Sequence, residues 1–142
     1  MPLVPAWLRW TAVLGTAVVI LYFSIVPPPS GGISMGPFGL ISLSYWLHTL
    51  AYLGLSVVLA YALQSSPRPD WQILLIVFAL AVGYGISIEL IQLPLPTRSF
   101  DVRDILVNGL GAALAVTGWK IATRYVRFYR LRRRERSQSV AN

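Results

Sequence analysis

The chain has 142 residues, 56% of them apolar and only 12% charged, with a mean hydropathy of +0.64. A soluble domain carries about 25% charged residues, so this composition excludes an ordinary soluble enzyme and points to a membrane. Cysteine is absent, which excludes disulfides, thiolate metal sites and cysteine nucleophiles.

The net charge of +7 does not mark a nucleic-acid binder. Seven of the twelve basic residues fall in the last nineteen positions, behind a hydrophobic segment. Basic residues crowded beside a span read as an orientation signal facing anionic lipid, so membrane lipids are expected partners and nucleic acid is not.

The first apolar run is 7–26, long enough to cross a hydrocarbon core of about 20 helical residues. It reads as a retained span. It is longer than a signal-peptide core, and no small-x-small site precedes Pro27-Pro28-Pro29. Residues 27–43 are rich in Pro and Gly and read as a loop, with Met35, Phe38 and Leu40 suited to an interface. The second span is 44–64, entered through the interfacial aromatics Tyr45 and Trp46. After the polar connection at 65–70, the third span runs from Trp71 to Leu93 and carries Gly83 and Gly85. Residues 94–100 break the helix. The fourth span covers 101–123, with Ser99 or Asp101 as its cap and a small-residue face of Gly109, Gly111, Ala115 and Gly118. Residues 124–142 form a basic tail, whose aromatic–arginine beginning suits a short interfacial helix.

The expected fold is an all-α bundle of four transmembrane helices. Residues 1–123 form the membrane domain, and 124–142 are a cytoplasmic tail. Ten basic residues (Arg9, Arg68, Lys120 and the seven tail arginines) fall on one side, and only Arg98 and Arg103 on the other. The positive-inside rule then makes both termini cytoplasmic and turns the 27–43 and 94–100 loops outward, and the plasma membrane is the expected location.

Three of the five acids lie within 87–111, an otherwise greasy stretch. At a rise of 1.5 Å per residue, His48 and Glu89 each lie about 6 Å below the outer ends of their helices. His48/Tyr52, Glu89/Gln92 and Asp101/Asp104/Asn108 recur at intervals of three or four, so each set forms one stripe. Polar stripes in lipid face the bundle interior or a wet cavity, and together these predict a single outward-opening pocket.

Each residue has a plain alternative. Glu89 is either a functional carboxylate partnered by His48 or Arg98, or half of an interhelical tie. A lone histidine such as His48 is commonly just hydrogen-bonded, yet beside a carboxylate it can act as general acid/base. Arg98, with Ser99 beside it, either receives a phosphate or carboxylate or pairs with Asp101 or lipid. Asn108 with its glycines favours an interhelical hydrogen bond. His48, Glu89 and Asp104 offer nitrogen and oxygen ligands, but no HExxH or paired-histidine motif is present, and no metal or cofactor is expected. P-loop, GxGxxG and GxSxG motifs are likewise absent from the sequence.

These residues resemble the VanZ-like family, small multi-span membrane proteins named for a teicoplanin-resistance protein. The His-x3-Tyr pair of that family is matched by His48 and Tyr52, and its Glu-x2-Gln by Glu89 and Gln92. Its Arg-Ser loop, following Asp and Asn-x2-Gly are matched by Arg98-Ser99, Asp101 or Asp104, and Asn108 with Gly111. The resemblance covers about residues 10–123. Ser44 and Tyr45 stand where the family often has Asp-Lys, which removes two charges from the pocket mouth. The resemblance implies a cell-envelope role and, in the name-giving case, reduced susceptibility to glycopeptide antibiotics.

The leading expectation is therefore a binding protein for a polar or anionic envelope component, a lipid headgroup or glycan precursor. His48, Tyr52, Glu89, Gln92, Arg98, Ser99, Asp101, Asp104 and Asn108 would line its site. The alternatives are a membrane-embedded enzyme acting on a lipid-linked headgroup through His48 and Glu89, and a small structural membrane subunit.

Overall fold

In a computed structural model, residues 3–26, 35–96 and 100–126 are described. They form four long α-helices: α1 Ala6–Ile25, α2 Leu43–Leu63, α3 Asp70–Gln92 and α4 Val102–Tyr125. All four are long and apolar enough to cross a membrane. Their bounds fall within two residues of those expected from the apolar runs, because hydropathy and Pro/Gly breaks act locally. The loop before α2 contains a 3-10 turn at Pro37–Gly39 and a single bridge between Met35 and Ser42. Ser42 then caps α2, its side chain accepting from the Tyr45 N–H.

The helices alternate in direction. Arg9, at the start of α1, reaches the last turn of α2, and Trp119 near the end of α4 donates to Gln64 at 3.2 Å. The beginning of α1 and the end of α4 therefore lie at one end of the bundle, as an even number of spans requires. Small and medium apolar residues fill the interior, among them Leu55, Leu59, Val77, Ala81, Ile88 and Ala112. Large ones such as Trp7, Leu14, Phe23, Leu75, Leu106 and Leu114 point outward. A soluble protein does not present such continuous apolar belts; in hydrocarbon they cost nothing.

Gly111 sets a close contact between α4 and α2. A Cβ on this residue would run into the backbone carbonyl of Thr49 and lie 3.0 Å from the Leu53 nitrogen. The missing side chain lets the α4 backbone press directly on α2. Gly109 and Gly118, the other glycines of the expected small-residue face, meet nothing within 4 Å.

Arg9 is 3% exposed and reads as more than a topology marker. Its Nη1 donates to the Tyr61 and Ala62 carbonyls at 3.1 and 2.8 Å, and its Nη2 to Ser65 Oγ at 2.9 Å. The guanidinium carbon sits 5.9 Å from the Tyr61 ring centre. A cation thus sits at the negative end of the α2 dipole and adds donors to its last carbonyls, of which Tyr61's also accepts from the Gln64 N–H at 3.3 Å.

Candidate functional site

Members of all three predicted stripes come together, Gln92 excepted. Gly111 presses on Thr49, and that close approach carries the preceding turn of α4 against His48 and Tyr52 of α2. His48 Nδ1 lies 3.0 Å from Asn108 Oδ1. A carbonyl oxygen accepts, so Nδ1 carries the proton in this contact and Nε2 of a neutral ring keeps its lone pair. That Nε2 faces Asp104 Oδ2 at 3.9 Å, too long for a hydrogen bond but close enough for a charged imidazole to pair with the carboxylate. His48 and Asp104 are each about one-fifth exposed, at 20% and 21%, so the pair lies at the edge of the bundle rather than sealed inside it.

The third wall is α3. Gly85 leaves room for the neighbouring side chains: a Cβ there would lie 3.0 Å from Asn108 Nδ2 and 3.3 Å from the Tyr52 ring. One turn on, Glu89 is wholly buried. Its Oε2 accepts from the Asp101 backbone N–H at 3.1 Å. Asp101 at the same time caps α4, its Oδ1 accepting from the Arg103 N–H at 2.8 Å. The start of α4 is thereby pinned to the end of α3 through a carboxylate and an amide. Glu89 was expected to pair with His48 or Arg98; its visible partner is a backbone donor, which no side-chain pattern announces.

Among the described residues, several buried polar atoms in this region have no hydrogen-bond partner: Glu89 Oε1, the Tyr52 hydroxyl and, one turn deeper on α2, Ser56 Oγ. Buried polar groups are nearly always satisfied, so each orphan marks bonding capacity that the described residues do not use.

The remaining predicted residues divide. Gln92 is buried, but its Nε2 donates to the Ser24 carbonyl of α1 at 2.7 Å, so it ties α3 to α1 rather than joining the histidine cluster. Arg98 and Ser99 lie outside the described residues, as do Phe38's side chain and residues 127–142 of the tail. Tyr84 was not anticipated. Its hydroxyl donates to the Ala17 carbonyl at 2.6 Å, and its ring stands 6.4 Å from that of Tyr52, so from α3 it backs the site and ties it to α1. Ser56 was also missed, although its position four residues after Tyr52 continues the α2 stripe. Among the described residues, no cluster of three His, Cys, Asp or Glu side chains is arranged to hold a metal ion.

Four membrane-length helices that converge a histidine, two carboxylates, an amide and a phenol at one end define a polytopic helical membrane protein with a buried polar cluster. The profile of the VanZ/LLP1 family matches residues 10–123 of this chain, which is more than half of its length. The chain belongs to that family. No curated protein and no solved structure matches it.

Proposed function

We propose that this chain is a binding protein of the plasma membrane whose polar cluster takes a polar or anionic envelope component, a lipid headgroup or a glycan precursor, from the outer side. The orphan atoms Glu89 Oε1 and Tyr52 OH carry this reading. A cluster serving only as an interhelical tie would satisfy its own polar groups, because each buried orphan costs on the order of 1–3 kcal/mol. The bonds left open beside His48 are the ones a sugar hydroxyl or a headgroup would complete. His48 and Asp104 supply the exposed edge, and Tyr52 and Glu89 the buried floor. In this reading Arg98 and Ser99, which fall between α3 and α4 in the sequence, hold the anion. Altered glycopeptide-type antibiotic susceptibility follows in this reading from withholding an envelope precursor.

The test is binding of two probes, a short-chain phosphatidic acid and N-acetylglucosamine 1-phosphate, to the full-length protein in detergent. Wild type should bind at least one of them. Glu89→Gln and His48→Ala should weaken binding about tenfold or more, since a lost charge-assisted bond is worth about 1.5–3 kcal/mol, while leaving the melting temperature nearly unchanged. A wild type that binds neither probe, with both variants sharply destabilised, would establish the structural tie instead.

The His48–Asp104 contact favours a second reading. An imidazole held by Asn108 with Nε2 directed at a carboxylate has the geometry of an acid/base pair, which suits catalysis at a lipid-linked headgroup. Turnover of such a headgroup, lost in His48→Ala, distinguishes an enzyme from a binding protein.

A further inference from the structure

The opposite end of the bundle holds a second feature, independent of the polar cluster. A groove of about 620 Å³ runs between the start of α3 and the end of α4, with Gln64 of α2 behind it. Its volume is within the ~300–1,000 Å³ of small-molecule sites. Leu74, Phe78, Val116 and Trp119 form its walls. Trp119 is held in place: its Nε1 donates to Gln64 Oε1, and Tyr61 meets its ring edge-on at 6.4 Å. The slot is therefore a fixed shape rather than a gap that a rotating indole would fill. At its mouth stand Trp71, 65% exposed, and two cations one helical turn apart, Lys120 and Arg124. Among the described residues, neither cation forms an ion pair with a carboxylate. Asp70 also lines the mouth, at the first position of α3, where the helix N-terminus stabilises its charge.

An apolar slot on the flank of a membrane bundle is filled by hydrocarbon in any case, and lipid tails gain little by entering it. Selectivity must come from the mouth. There, tryptophan indoles mark the depth of the membrane interface, and lysine and arginine extend their heads to the phosphates. A zwitterionic headgroup brings its own ammonium against Lys120 and Arg124, whereas an anionic one does not. We propose that this groove binds an anionic phospholipid of the leaflet on the side of the chain termini. One acyl chain lies along Leu74, Phe78 and Trp119, and the phosphate sits between Lys120 and Arg124.

The experiment uses the full-length protein in phosphatidylcholine vesicles containing increasing fractions of acyl-chain-brominated phosphatidylglycerol or brominated phosphatidylcholine. Bromine quenches nearby tryptophan, and the difference between wild type and a Trp71→Phe/Trp119→Phe variant isolates the groove signal. Brominated phosphatidylglycerol should quench that signal at lower mole fraction, with a preference of about fivefold per cation. Lys120→Gln/Arg124→Gln should remove the preference, while Arg132→Gln/Arg133→Gln/Arg134→Gln in the tail should keep it. Native mass spectrometry of lipid retained from an equimolar mixture reads the same preference without touching a tryptophan. Equal quenching by the two lipids would overturn the proposal. So would a preference that survives the groove variant and disappears with the tail variant, which would assign the lipid contact to the tail.

Discussion

The contact of Gly111 with α2 gives the sharpest test of how the polar cluster is assembled. In Gly111→Ala the added methyl meets the Thr49 carbonyl oxygen, the Thr49 carbonyl carbon at 3.1 Å and the Leu53 nitrogen at 3.0 Å. All three are backbone atoms of one helix, so no side chain can rotate away and α2 and α4 must separate. Overpacking of this kind costs about 1–3 kcal/mol. Separation also stretches the His48–Asn108 bond one turn away, and an interhelical bond in a membrane is worth about 0.6 kcal/mol, at most about 1.7. The combined destabilisation is about 2–4 kcal/mol. Gly118→Ala is the matched control, because its Cβ meets nothing within 4 Å. It should be neutral or gain up to about 1 kcal/mol of helix propensity. Thermal unfolding of the two variants in detergent, followed by circular dichroism, compares them directly. If Gly111→Ala melts with or above Gly118→Ala, the α2–α4 contact does not organise the site and the argument for it fails.

Other expectations follow from the same geometry. Arg9→Ala should destabilise the bundle by about 2–4 kcal/mol, because it strips charge-assisted donors from a buried carbonyl, a part-buried carbonyl and a hydroxyl. Arg9→Lys should recover only part of that loss, since an ammonium lacks the fork that reaches all three; full rescue by lysine would count against a capping role. The single histidine makes its tautomer readable by nitrogen NMR: at alkaline pH the Nδ1–H form should dominate, and Asn108→Ala should shift the balance toward Nε2–H. An Nε2–H form in wild type would contradict the Asn108 contact. Gly85→Ala should be milder than Gly111→Ala, as its Cβ meets side chains of Asn108 and Tyr52 that have some freedom to adjust, and melting curves rank the two. For topology, a cysteine at Ser99 should react with an impermeant thiol reagent in intact cells while one at Ser66 is protected; the reverse pattern inverts the orientation.

Much of this protein follows from one-dimensional pattern. Apolar runs of spanning length, interrupted by prolines, determine four helices almost to the residue, because burial in lipid and helix termination are local properties of the chain. Helical spacing likewise places His48 with Tyr52 and Asp104 with Asn108 on single faces, and the common depth of Glu89 follows from counting residues. Spacing does not determine how each helix is rotated about its axis against its neighbours. That rotation is decided by packing, and here by two glycines out of five candidates: Gly111 sits on the α2 backbone and Gly85 makes room for Asn108 and Tyr52, while Gly83, Gly109 and Gly118 meet nothing. The same rotation turns Gln92 toward α1 although it shares a stripe with Glu89. It also buries Arg9 against carbonyls that no side-chain motif reveals. Backbone groups are identical at every position, so the pairing of Glu89 with the Asp101 amide and of Arg9 with the end of α2 exists only once the helices are assembled in three dimensions.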